Sequence, residues 1–144
     1  MRKLLFIIIL LWGAVSQIRS QEMRTIFLEA PDSVLPLLSK SYRADMVDYV
    51  DAGMTARVTN SLDGSSTLEE LAADYMRLAV TASSTMQLKL LPLRGDTIIC
   101  MVKSVKAEAA DSRIYFYDKE WNALDGSAMF VYPSINDFFA SAAD

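Results

Sequence analysis

The chain has 144 residues, 52% apolar and 22% charged, with only nine Gly plus Pro, one Cys, no His and a formal net charge of −4. That is the composition of about one folded domain, and it excludes a disordered or collagen-like chain. A single Cys excludes an intramolecular disulfide, the missing His removes Ser-His and Cys-His nucleophiles and His-ligated metals, and the acidic balance argues against nucleic acid as a partner.

Arg2 and Lys3 precede nine consecutive apolar residues, Leu4 to Trp12, extended by Gly13, Ala14 and Val15. The run is short for a permanent membrane span and matches the hydrophobic region of a secretory signal peptide. Ala14-Val15-Ser16 is a small-residue cleavage site, so residues 1–16 read as the signal peptide, with Ser20 as the alternative end. Cleavage after Ser16 leaves 12 basic against 18 acidic residues. The membrane is then met only transiently, and the destination is the periplasm or the outside of the cell.

Residues 22–144 read as a single domain, helices first. Met23, Ile26, Phe27 and Ala30 recur at helical spacing up to Pro31. Asp32 or Ser33 is placed to cap a second helix containing Val34, Leu35, Leu37 and Leu38, with Pro36 in its first turn. Ser41 is placed to cap a third helix, Tyr42 to Asp51, with Tyr42, Met46, Tyr49 and Val50 on one face and Gly53 as its stop. Beyond Gly53 come turn signals, Asp63-Gly64, Gly95-Asp96 and Asp125-Gly126. Residues 67–79 are ambiguous: Ser66 and Glu69 have capping-box spacing and the local propensity is helical, yet the chain alternates from Tyr75, which favours a strand from there. Met86, Leu88 and Leu90 alternate on one strand face, and Thr97 to Val105 reads as a central strand apolar on both faces. Arg113 to Tyr117 is aromatic and β-branched, and Ala128 to Tyr132 is a further short strand before a final turn with Ile135, Phe138 and Phe139. The fold class expected is α+β, N-terminal helices packed on one face of an antiparallel β-sheet.

Five segments in this order, Ala30-Pro31-Asp32-Ser33-Val34-Leu35-Pro36-Leu37-Leu38, Met46-Val47-Asp48-Tyr49-Val50-Asp51, Val58-Thr59-Asn60-Ser61, Lys89-Leu90-Leu91-Pro92-Leu93 and Phe116-Tyr117-Asp118-Lys119-Glu120-Trp121, carry a resemblance. Behind a signal peptide, they resemble a secreted family of unknown function from Bacteroides-type bacteria, over about residues 22 to 125. The resemblance implies an exported, cell-envelope location and no catalytic residues. Members of that family run longer at the C-terminus, which implies that a last sheet element is missing or replaced here.

Asp45, Asp48 and Asp51 fall at i, i+3 and i+6, which suits a solvated acidic face better than a calcium loop. Glu69, Glu70, Asp74, Asp118 and Glu120 supply carboxylates for a glycosidase-like pair, without a distinguishing spacing. No Ser-x-x-Lys, Gly-x-Ser-x-Gly or phosphate-binding glycine loop occurs. Arg94-Gly95-Asp96 is both a possible adhesion tripeptide and good hairpin-turn chemistry. Cys100, in the run Ile98 to Val102, reads as a buried inert thiol. Tyr115, Phe116, Tyr117, Trp121, Phe130 and Tyr132 are the aromatic set. Strand alternation puts Ile114 and Phe116 toward the helices and leaves Tyr115 and Tyr117 wet on the other face, with Trp121 as the third binding residue. The expected function is a non-enzymatic binding or interaction module with a protein or glycan partner in the cell envelope, needing no cofactor or metal. The alternative is a carboxylate-dependent hydrolase acting on envelope or dietary polysaccharide.

Overall fold

A computed structural model describes residues 22–129, 131, 133 and 134. The expected signal peptide, and Phe130, Tyr132, Ile135, Phe138 and Phe139, lie outside them. The first helical stripe is real. Residues 22–29 form α1, and Met23, Ile26, Phe27 and Ala30 are all buried.

The second expected helix does not form. Pro31 O accepts from the N–H groups of Val34 and Leu35 at 2.9 and 3.2 Å, making one turn. Pro36 has no N–H to continue it. Residues 31–38 are instead a strap of turns. Helix α2 runs Lys40–Asp51, capped by Ser39 rather than Ser41; the Ser39 hydroxyl accepts from Tyr42 N–H. Its end follows the Schellman pattern. Met54 N–H reaches Tyr49 O at 2.8 Å and Gly53 N–H reaches Val50 O at 3.0 Å, with Gly53 at φ +66°. Its buried face is Arg43, Met46 and Val47, while Tyr42 is exposed. The expected stripe is therefore rotated, because Arg43 turns inward to hydrogen-bond backbone carbonyls.

Among the described residues seven strands follow: β1 Ala56–Thr59, β2 Ser65–Leu71, β3 Tyr75–Thr81, β4 Ser84–Leu93, β5 Asp96–Lys106, β6 Ala110–Tyr117 and β7 Ala123–Leu124. They make one antiparallel sheet in chain order. The chain is thus α+β. The ambiguous segment is strand on both sides of its turn. Local helix propensity at 67–71 loses because Ser66 and Leu68 pair with Val58 and Ala56 on one side, and Leu68 with Leu78 on the other. The Ser66 hydroxyl, expected as a helix cap, is fully buried and donates to Val80 O at 2.7 Å. Asn60 closes the β1–β2 hairpin by accepting from Leu62 and Gly64 N–H. Ala128 is not in a strand: Gly126–Ala128 is a 3-10 turn capped by Asp125.

Ala56, Val58, Leu68, Met76, Leu78, Met86, Leu88, Leu90, Ile99 and Met101 alternate along their strands and share one core cluster with the buried residues of α1, the strap and α2. The cross-strand register extends that parity to β6. Met101 lies opposite Tyr115 and Ile99 opposite Tyr117, so the tyrosines stand on the face of the main core. Ile114 and Phe116 stand on the reverse face, the opposite of the expectation. Alternation divides a strand into two faces without saying which is inside. Phe116 is still only 7% exposed, because Gly126 passes over its ring; a Cβ built at Gly126 would sit 3.3 Å from Phe116 Cδ2.

Candidate functional site

Hydrogen bonds hold the strap at Val34, Leu37 and Leu38, the Leu37 carbonyl accepting from Ser61 N–H at 3.2 Å. At its C-terminal end Arg43, 2% exposed, donates Nη1 to Leu38 O at 2.6 Å, and Nη2 to Ala30 O at 2.8 Å and Leu28 O at 3.3 Å. The Leu28 and Ala30 carbonyls lie at the end of α1, where intrahelical partners run out and a cation is favourable. Nearer its middle, Lys103 of β5 donates Nζ to Val34 O at 3.0 Å. Between the strap and the sheet lies a cleft of about 170 Å³, walled by Val34, Pro36, Leu37, Val80, Met86 and Val105, with Lys103 among the residues that line it.

Lys103 has the same parity as Ile99 and Met101, a core position on its strand. It is half-buried, and burial pushes its ammonium pKa below the usual lysine range. Its Nζ lies 6.0 Å from the centroid of the Tyr115 ring. Arg113 lies directly opposite it on β6. Among the described residues no carboxylate forms an ion pair with Lys103 or Arg113. Two like charges thus face each other beside an apolar cleft, an arrangement that cross-strand pairing disfavours unless something neutralises it. Chemically the site offers apolar volume with the Lys103 ammonium in its lining and the exposed Arg113 opposite that lysine on the next strand.

The three residues expected to bind are not equivalent. Tyr115 is 36% exposed and lies opposite Met101, with Lys103 Nζ near its ring. Tyr117 is partly buried against the core, its ring 5.3 Å from that of Trp121. Trp121 is 8% exposed and donates its indole N–H to Ile26 O at 3.3 Å, tying the β6–β7 turn to α1. Its backbone is left-handed, φ +65°, at a turn organised by Asp118, whose carboxylate accepts from Glu120 and Asn122. Tyr117 and Trp121 pack on each other and on the core, and Tyr115 is the most exposed of the three. Sequence reading missed Lys103 and Arg113. The available signal was a Lys at core parity inside a run read as wholly apolar.

The remaining motifs are occupied or dispersed. Asp51 pairs with Arg24 at 2.6 Å, while Asp45 and Asp48 are exposed; among the described residues no cluster of three or more acidic or Cys side chains is placed to hold a metal. Asp51, Asp74, Asp118 and Asp125 all have carboxyl pKa values lowered, chiefly by hydrogen bonds from Arg24, Lys89, Asn122 and Ser127. A general acid needs the opposite displacement. Arg94 and Gly95, at φ +50° and +89°, make the two-residue β4–β5 turn, and the Asp96 carboxylate accepts from Thr97 N–H and lies 3.6 Å from Lys119. Cys100 is half-buried on the reverse face, opposite Phe116, and burial raises its thiol pKa.

A family model described as a protein of unknown function (DUF3256) matches residues 15–144. The comparison with curated proteins found no match. A solved structure of a domain of an uncharacterized protein from Porphyromonas gingivalis W83 is similar at 30% identity and a TM-score of 0.72. The match covers 85% of this chain and 63% of that one, so the chain spans less than two thirds of the solved structure's length.

Proposed function

The chain belongs to the DUF3256 family, and from that premise we propose that it is an exported envelope or secreted protein that works by binding, with Tyr115, Lys103 and Arg113 as its contact surface. In this reading the partner, a protein or a glycan, meets the stretch of β5 and β6 around Lys103 and Arg113, away from the β6–β7 turn on which α1 docks. One observation carries it: an apolar cleft lined in part by Lys103, with Arg113 opposite that lysine on the next strand and neither cation paired with a carboxylate among the described residues. Export is supported by the basic start and short apolar run of residues 2–15.

Fractionation and photo-crosslinking test the two halves. Protein from the envelope fraction or medium should have an intact mass beginning at Gln17 or Gln21. Full-length protein confined to the cytoplasm would end the export reading. A photoreactive residue at Arg113 should give a discrete adduct in cells, and one at exposed Glu70 on the reverse face should not. Equal adducts at both positions, or none at either, would overturn the contact surface.

A further inference from the structure

We infer that the cleft beneath the strap binds an amphipathic monocarboxylate, its apolar group among Val34, Val80, Met86 and Val105 and its carboxylate between Lys103 Nζ and the Arg113 guanidinium. The inference rests on the binding reading above and supplies its ligand class. Size sets the apolar part. An apolar cavity of roughly 150 Å³ holds one benzene, so about 170 Å³ takes a group of benzene to leucyl size. Charge sets the other part. Lys103 uses one N–H on Val34 O and keeps two. The Arg113 guanidinium has no hydrogen bond or ion pair among the described residues, although the residue stands directly opposite Lys103 with Cβ atoms about 5 Å apart by antiparallel geometry. One carboxylate bridging the two cations removes their repulsion and satisfies donors that the fold leaves unused. Asp111 shares their face one step further along β6, yet pairs with neither. Inorganic phosphate would meet the cations and leave the apolar walls unused; a neutral alcohol would do the reverse.

The desolvated Lys103 adds a signature. Its lowered pKa means that carboxylate affinity falls as pH rises through a range below that of an ordinary lysine. The experiment is a methyl NMR titration of the purified chain with hexanoate, hexan-1-ol and inorganic phosphate. Hexanoate should shift the Met86, Val34 and Val105 methyls and bind about tenfold or more tightly than hexan-1-ol, with phosphate leaving those methyls unmoved. Lys103→Met should lower hexanoate affinity by about tenfold and leave hexan-1-ol unchanged, in a variant whose remaining spectrum shows that it is folded. An acetylated tripeptide ending in Leu, with a free or an amidated C-terminus, separates the two sources of such a carboxylate. Binding of the free form more tightly than hexanoate assigns a peptide terminus; the reverse order assigns a free acid. Equal affinity for hexanoate and hexan-1-ol, or no movement of the cleft methyls with any probe, overturns the inference. A persisting Arg113 crosslink in that case leaves the binding-module reading standing.

Discussion

Arg43 is the residue on which the helical half of the molecule depends. Its guanidinium is almost fully buried, reaches three backbone carbonyls from α1 and the strap, and lies 3.6 Å from the exposed Asp32 carboxylate. A hydrogen bond to a charged group contributes about 1.5–3 kcal/mol, and three such bonds partly offset the desolvation of the cation and of its unpartnered Nε–H. Arg43→Ala removes the donors, orphans the carbonyls and leaves a void, so the expected cost is about 3–5 kcal/mol. Arg43→Met keeps the stem and loses only the donors, for about 2–4 kcal/mol. Arg43→Lys keeps the charge without the planar fork and should lie between Met and the parent protein. Asp32→Ala, on the exposed side of the pair, should cost less than about 1 kcal/mol. Urea melts read all four from the midpoint at constant slope. Against a total stability of about 5–15 kcal/mol, the alanine variant sits near the edge of folding. An Arg43→Met variant as stable as the parent would refute the reasoning, because it would show that the three carbonyls do not need their donor.

Phe116→Ala should cost about 3–5 kcal/mol and Tyr115→Ala about 1 kcal/mol or less, since one ring is buried under Gly126 and the other is at the surface; denaturant midpoints in the reverse order would contradict this assignment of faces. Cys100 should react with a thiol reagent more slowly in the folded chain than in denaturant, because it is half-buried and its thiolate is scarcer there; equal rates would show an open reverse face. Lys103→Met should change stability by no more than about 1 kcal/mol near neutral pH, one lost hydrogen bond being offset by a desolvated ammonium removed. For the parent protein the unfolded chain holds the Lys103 proton more tightly, so this group makes stability rise with pH across a range just below that of ordinary lysines. Melts of Lys103→Met over the same range should lack that rise, and a slope shared by both proteins would assign it elsewhere.

Where one physical rule dominates, the sequence was legible. The α1 stripe, Gly53 as a stop, the alternation of β4 and the left-handed turn after Leu93 each follow from local chemistry, and each is present. Residues 67–71 were not legible, because a local helix preference was outweighed by two flanking strands that the same residues could not announce. Val34 to Leu38 has helical composition, yet Pro36 and the inward pull of Arg43 on Leu38 O make it a strap. The tyrosines of β6 illustrate a general limit: period two defines two faces, and only the register with Met101 and Ile99 identifies the inner one. The candidate site was half legible. Tyr115 stood out by type, whereas Lys103 and Arg113 gain meaning only when two strands are aligned.

The sheet's chain-order topology has a kinetic consequence. Each strand finds its partner through a short turn, so most of the sheet forms by closing small loops at little entropic cost and the contact order within it is low. Contacts between the helical layer and the sheet escape that economy, and those of α1 span the most sequence. Trp121 meets Ile26 across 95 residues of sequence, and Lys119 approaches Glu22 at 3.4 Å. Docking α1 onto the β6–β7 turn is therefore the long closure of this fold and the natural last step of assembly. In the native state, the same asymmetry predicts that the amides of α1 exchange with solvent sooner than those of β4 and β5.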